Sequence, residues 1–90
     1  MDKQKRAAII SARIEAIIHH SQSLEKELQL TKISNVTGHS YNALRNNIYE
    51  LDRSCDPLLP PGIDVDAGDL PTYIELCMLL SSLLCIMDRL

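Results

Sequence analysis

The sequence predicts an all-α fold: a small helical bundle with a long N-terminal helix, a middle helix, a proline- and aspartate-rich loop, and an apolar C-terminal helix. Three observations support this prediction. The chain has 90 residues, enough for one small domain. It has no Phe, no Trp and only three Tyr, so its core must consist of aliphatic side chains, Cys and Met, which suit helices better than sheets. Apolar residues also recur at spacings of three and four in three separate segments.

The first segment, residues 1–30, has the pattern of a long amphipathic helix. Its heptad seam is formed by Ala7, Ile10, Ile14, Ile17, Ser21, Leu24 and Leu28. The polar stretch 19–23 weakens this seam, so the segment is either one helix or two, with Ser23 as a cap for the second. A helix this long in so small a protein favours pairing with another chain. Ile10, Ile14 and Ile17 are therefore predicted to lie at an interface between subunits.

The middle helix is predicted over residues 40–55. Residues 31–40 form a polar interruption in which Gly38 favours a turn, and Ser40 can cap the helix that follows. The helix should end at Asp56, because a residue that precedes proline avoids the helical region. Its apolar stripe is Tyr41, Leu44, Ile48, Leu51 and Cys55.

The loop, residues 56–71, holds all four prolines and two of the three glycines. A loop of this length in a compact domain is often functional. Its three aspartates, Asp64, Asp66 and Asp69, have no basic residue near them in the segment 56–75. We expect these carboxylates to bind a partner protein by meeting a basic surface.

The C-terminal helix is predicted over residues 72–90, because Thr72 and Glu75 have capping-box spacing. No charge lies between Glu75 and Asp88, and a helix that is apolar nearly all round must be enclosed by other helices or by a second copy of the chain. We expect a homo-oligomer, a dimer or a tetramer. The face predicted to be buried, partly between subunits, is Leu76, Leu80, Leu83 and Met87.

Charge and cysteine content narrow the classes of function. The net charge of -3 argues against a general binder of nucleic acid or of anionic membranes. The uncharged stretch 76–87 is about 18 Å long as a helix, short of the roughly 30 Å core of a bilayer. The basic N-terminus leads into a mixed amphipathic segment, which is unlike a signal peptide. Three cysteines without a paired framework are typical of reduced thiols, so we expect a cytoplasmic protein.

No motif predicts a metal site, a cofactor or catalysis. Asp64, Asp66 and Glu75 stand at positions 1, 3 and 12 of an EF-hand loop, but Pro60-Pro61-Gly62 excludes the helix that should precede such a loop. A solvated acidic loop is the better interpretation. The histidines lack the close spacing of zinc ligands. We therefore expect no enzyme, no metal and no cofactor.

Residues 33–51 resemble the helix-turn-helix of bacterial transcription regulators. Ile33 and Val36 would belong to its first helix and Gly38 to its turn. The resemblance implies binding to DNA, with the recognition helix directing four side chains towards phosphates and base edges. These four are Tyr41, Asn42, Arg45 and Asn46.

In general form the chain resembles the small antirepressors of temperate phages, which are short, acidic, helical proteins without catalytic residues. This resemblance implies a non-catalytic regulatory protein that binds a bacterial or phage transcription repressor and inactivates it by protein–protein interaction. Two alternatives stay open at the level of sequence. One is a regulator that binds DNA itself through residues 33–51, and the other is a secretion chaperone or an immunity-type binding protein.

Overall fold

The computed structural model describes residues 2–90, and it confirms the all-α class. The helices, in chain order, are α1 (Lys3–Ser23), α2 (Lys26–Gln29), α3 (Asn35–Leu51) and α4 (Tyr73–Met87), with 3₁₀ turns at Arg53–Leu58 and Val65–Ala67. The described residues contain no strand, only one isolated antiparallel bridge between Lys32 and Thr72. That bridge ties the linker between α2 and α3 to the start of α4.

The core is built around one side of α4. This side packs against α1 and α3, and Leu76, Leu80 and Leu83 are completely buried there. Each buried Leu contributes roughly 1.5–3 kcal/mol to the free energy of unfolding. The other side chains of this core that are almost fully buried are Ile10, Ile14, Ile33, Tyr41, Leu44, Ile48, Cys55, Ile86 and Met87. The aliphatic composition of the core agrees with the sequence-based expectation.

Six of the seven side chains predicted to lie between subunits form the core of a single chain, so the assignment is wrong for these six. Ile14, Leu76, Leu80 and Leu83 are 0% exposed, Ile10 is 6% exposed and Met87 is 7% exposed, while Ile17 is half-buried. The reason is that α1 and α3 together cover the stripe of α4, with no need for a second copy. A subunit contact, if the chain makes one, must use a different face.

The first segment is two helices rather than one. α1 ends at Ser23, whose hydroxyl donates to the carbonyl oxygen of His20, so Ser23 closes α1 instead of capping α2. Between the two helices, the side-chain amide of Gln29 donates a hydrogen bond to the carbonyl oxygen of Leu24 over 2.7 Å. Ser21, the polar member of the seam, is buried. Its hydroxyl is satisfied there, because it donates a hydrogen bond to the carbonyl oxygen of Ile17 over 2.8 Å.

The middle helix begins five residues earlier than predicted, at Asn35, and ends at Leu51. Ser34 is its N-cap and accepts a hydrogen bond from the backbone N–H of Thr37 over 3.2 Å. Gly38 therefore lies inside the helix and makes no turn. A side chain there would meet Val65, since a Cβ on Gly38 would lie 3.0 Å from Val65 Cγ2. Glycine thus allows the loop to pack closely against α3.

The start of α4 is as predicted. Thr72 Oγ1 accepts from the backbone N–H of Glu75 over 3.3 Å, and Glu75 Oε1 accepts from the backbone N–H of Thr72 over 3.0 Å. This reciprocal pair is a complete capping box. The helix ends at Met87, three residues before the predicted boundary.

Candidate partner-binding surfaces

The residues predicted to read DNA hold the proline-rich loop instead. The phenol oxygen of Tyr41 donates to the carbonyl oxygen of Pro61 over 2.9 Å, and Arg45 Nε donates to the carbonyl oxygen of Pro60 over 2.6 Å. Asn42 makes two bonds to Ile63: its Nδ2 donates to the carbonyl oxygen over 2.7 Å, and its Oδ1 accepts from the backbone N–H over 2.8 Å. Three of the four predicted reader residues are therefore committed to internal contacts.

The predicted helix-turn-helix is not formed. Val36 and Gly38, assigned to its first helix and turn, both lie in the same continuous helix as Tyr41. The loop covers the face of α3 that was expected to meet DNA, and Tyr41 is 0% exposed as a result. Of the four reader residues, Asn46 is the exposed one. Residues 33–51 therefore lack the geometry of the DNA-binding motif that their sequence resembles.

The Tyr41 phenol that anchors the loop is protonated at neutral pH. Desolvation raises the pKa of the Tyr41 phenol above its usual value, and the nearby Arg45 guanidinium acts in the opposite direction. A tyrosine ordinarily ionises near pH 10. The phenol thus keeps its proton at neutral pH and can donate it to Pro61.

The three aspartates of the loop, Asp64, Asp66 and Asp69, are all exposed and form what we call the acidic edge. Asp64 caps the second 3₁₀ turn, since its Oδ1 accepts from the backbone N–H of Ala67 over 3.2 Å. Asp69 is paired with Lys32, with Nζ and Oδ1 3.5 Å apart. Within residues 2–90, Lys32 is the one cation that forms a salt bridge with this edge. The edge therefore carries more negative than positive charge.

Glu75 lies beside the acidic edge. Hydrogen bonds from the backbone and the hydroxyl of Thr72 are the main reasons that the pKa of Glu75 is lowered. Smaller opposing effects come from Asp69, which raises the pKa of Glu75, and from Lys32, which lowers it. The capping box thus keeps Glu75 ionised, and a fourth carboxylate adds its charge to this side of the molecule.

The outer face of α4 is the side of the helix away from the core, and it comprises Ile74, Met78, Ser81 and Cys85. All four residues are exposed. A hollow of about 620 Å³ opens beside this face, lined by Ile74, Met78 and Ser81 from α4 and by Gln22 and Gln29 opposite them. The helical periodicity contained the signal for this face, because these four residues lie opposite the buried stripe. The subunit contact expected from the sequence lay on that stripe, so the outer face was not predicted.

A groove between α1 and α3 is another concave surface. Three adjoining cavities of about 320, 220 and 220 Å³ share lining residues along it, and its walls include small side chains such as Ala16, Ser40 and Ala43. Arg6 and Arg13 also line it, and within residues 2–90 neither forms a salt bridge. The border of the groove on α1 is therefore positively charged.

The cysteines and other metal-ligating residues are dispersed. Residues 2–90 contain no group of three or more His, Cys, Asp or Glu side chains placed to hold a metal ion. Cys55 is buried, and burial raises the pKa of its thiol, with a further contribution from the charge of Asp52. The Cys55 thiol is thus held in its protonated form, and its Sγ lies 3.8 Å from the carbonyl oxygen of Ile48.

Comparisons with known proteins identify no relative. A scan against models of known protein families found no match for this chain, and no similar protein was found among curated proteins or solved structures. Within residues 2–90, none of the helices combines the length and the hydropathy that crossing a membrane requires.

Proposed function

We propose that this chain is a non-catalytic regulatory protein that binds another protein through its acidic edge, Asp64, Asp66 and Asp69. One observation carries the proposal: the carboxylates are exposed on a loop that α3 holds in place. A flexible loop would lose conformational freedom on binding, and that loss would weaken the complex. A loop that is already ordered avoids most of this cost.

Four hydrogen bonds to α3 anchor the loop. The hydrogen bonds run from Tyr41 to Pro61, from Asn42 to Ile63 and from Arg45 to Pro60. Val65, which lies between Asp64 and Asp66, is only 8% exposed. The aspartates are thus presented on a fixed support. Fixed charges of one sign raise the rate of association with a surface of the opposite sign and select against like-charged partners.

A transcription repressor is the partner class that we propose. The surface with which a repressor binds DNA is rich in Lys and Arg, because phosphate neutralisation supplies much of its affinity. Exposed carboxylates on a rigid loop suit such a surface. This proposal also agrees with the general resemblance of the chain to small phage antirepressors, which remove a repressor from its operator.

Capture of the partner with matched variants tests the proposal. The immobilised chain is incubated with a lysate of the host bacterium, and retained proteins are identified by mass spectrometry. The test variant is Asp64→Asn, Asp66→Asn, Asp69→Asn, in which Asn preserves the capping role of residue 64. The control variant is Glu15→Gln, Glu25→Gln, Glu27→Gln, which changes the net charge by the same amount at exposed positions outside the loop.

The proposal expects a DNA-binding repressor that is retained by the wild type and the control variant and lost with the aspartate variant. Adding the purified chain to that repressor on its operator DNA should then release the DNA in a gel-shift experiment. Equal retention by the two variants would remove the acidic edge from the mechanism. A captured repressor that stays on its operator would contradict the antirepressor role.

A further inference from the structure

We infer that the outer face of α4 binds the same face of a second copy of the chain, with the two helices antiparallel. The inference is independent of the proposed repressor partner. The face exposes large apolar side chains to water, which does not stabilise a monomer: Met78 is 68% exposed and Ile74 is 41% exposed. No charged residue occurs in α4 between Glu75 and Asp88. Exposed apolar patches of this kind mark interaction sites.

The spacing of the face favours an antiparallel second copy. Ile74, Met78, Ser81 and Cys85 are separated by four, three and four residues, so the spacing is the same in both chain directions. An antiparallel copy therefore brings Ile74 opposite Cys85 and Met78 opposite Ser81. Each large side chain then meets a small one, as packing of ridges into grooves requires. A parallel copy would place Met78 against Met78 and Ser81 against Ser81.

The charges that border the face favour the same arrangement. Glu75 lies in the first turn of α4 and Arg89 lies two residues beyond its end. Continuing the helix at about 100° per residue places both on one flank of the outer face. A two-fold axis perpendicular to the paired helices exchanges their ends and keeps this flank. Arg89 of one copy then lies beside Glu75 of the other.

Both side chains are accessible for this contact, although Glu75 Oε1 is also the acceptor in the capping box with Thr72. Glu75 and Arg89 are exposed, and within residues 2–90 neither forms a salt bridge with an oppositely charged group. In a parallel pair the two-fold axis runs along the helices, so these flanks of the two copies would lie on opposite sides of the pair and no contact between Glu75 and Arg89 would form. The size pattern and the charge pattern are separate properties of the sequence, and both select an antiparallel copy of this chain.

Engineered disulfide formation tests the pairing. The test variant is Ile74→Cys in a Cys77→Ala background, because removing Cys77 prevents a bridge within one helix. Mild oxidation should convert the 10.1 kDa chain into a covalent dimer on a non-reducing gel, and mass spectrometry should locate the bridge between residues 74 and 85. Cys77→Ala alone is the control and should give no covalent dimer on this gel. A bridge between the two copies of Cys85, or no bridge in the test variant, would overturn the inference.

A second measurement does not depend on disulfide geometry. Light scattering of the reduced wild type at rising concentration should show the mass doubling, and Met78→Arg should raise the dimer dissociation constant at least about tenfold. Circular dichroism should show unchanged helicity, because Met78 is exposed in the single chain. Val36→Arg is the matched control on a 74% exposed apolar residue of α3, and it should dimerise as the wild type does. A wild-type mass of 10.1 kDa at every concentration, or a Met78→Arg dimer as strong as the wild type, would overturn the inference.

Discussion

The phenol oxygen of Tyr41 donates a 2.9 Å hydrogen bond to the carbonyl oxygen of Pro61, twenty residues further along the chain. This contact joins the middle of α3 to the proline-rich loop. The loop consequently covers the face of α3 that the helix-turn-helix resemblance predicted to meet DNA. The same contact gives the acidic edge a fixed support. The relationship between these two residues therefore separates a DNA-binding account from a protein-binding account.

Tyr41→Phe should lower the free energy of unfolding by about 1 kcal/mol, because the hydrogen bond to Pro61 is lost while the buried ring is kept. Urea denaturation followed by circular dichroism measures the change. The control is Tyr49→Phe, which retains the aromatic ring beneath the Arg53 guanidinium, 5.6 Å from its centroid. The control should unfold at nearly the wild-type midpoint. An equal loss of stability in both variants would show that the loop anchor has no special role.

The capping box of α4 should depend on pH in a defined direction. The pKa of Glu75 is lowered, chiefly by hydrogen bonds from Thr72, so the ionised form stabilises the folded state. This stabilisation is complete above the unfolded-state pKa of about 4.3 and is lost as the pH falls through the lower folded-state pKa. NMR titration of the Glu75 carboxyl carbon should give a pKa below that reference value, and Thr72→Ala should raise it. The backbone N–H of residue 72 remains in this variant, so an unchanged pKa would contradict the contribution of the Thr72 hydroxyl.

Leu83→Arg should unfold the chain rather than merely separate subunits. Leu83 is 0% exposed within the single chain, so the substitution buries an unpaired charge as well as removing apolar contacts. The combined cost of several kcal/mol is comparable with the whole stability of a small domain. Thermal melts followed by circular dichroism should show lost helicity, whereas Ala12→Arg on the exposed side of α1 should melt as the wild type does. A folded, monomeric Leu83→Arg variant would return this residue to an interface.

The chain should bind double-stranded DNA only weakly at physiological salt. Its net charge is -3. The side chains of Tyr41, Asn42 and Arg45 are hydrogen-bonded to backbone carbonyls of the loop. Gel shifts with double-stranded promoter DNA test this expectation. Asn46→Ala is the informative variant, because Asn46 is the exposed member of the four predicted reader residues. Sequence-specific binding that disappears in Asn46→Ala would contradict the protein-binding account.

Local patterns in the sequence predicted the parts of the fold that depend on local physics. The capping box of Thr72 and Glu75 and the buried stripe through Leu76 and Leu80 follow from spacing along one helix. The start of α3 was placed wrongly, because Gly38 was interpreted as a turn and Ser34 was overlooked as a cap. Gly38 allows the loop to pack closely against α3. The residue pattern of one helix does not show such a contact with a distant segment.

The location of the candidate site depended on contacts between distant residues. The acidic residues themselves were visible as an unbalanced run of charge, and their exposure agrees with that interpretation. The docking of the loop on α3 was not visible, since Tyr41 and Asn42 have the same residue types whether they face DNA or a backbone carbonyl. The outer face of α4 was missed for a related reason: both sides of that helix are apolar, and only packing decides which side is covered.

The rate of association between this chain and its captured partner, measured by surface plasmon resonance over a range of salt concentrations, tests the central claim most directly. The acidic edge should speed association at low salt, and the speed should fall as salt screens the charges. We predict that Asp64→Asn, Asp66→Asn, Asp69→Asn slows association and flattens its salt dependence, whereas Glu15→Gln, Glu25→Gln, Glu27→Gln leaves both close to the wild type. Identical rates for the wild type and the aspartate variant at low and at moderate salt would contradict the account.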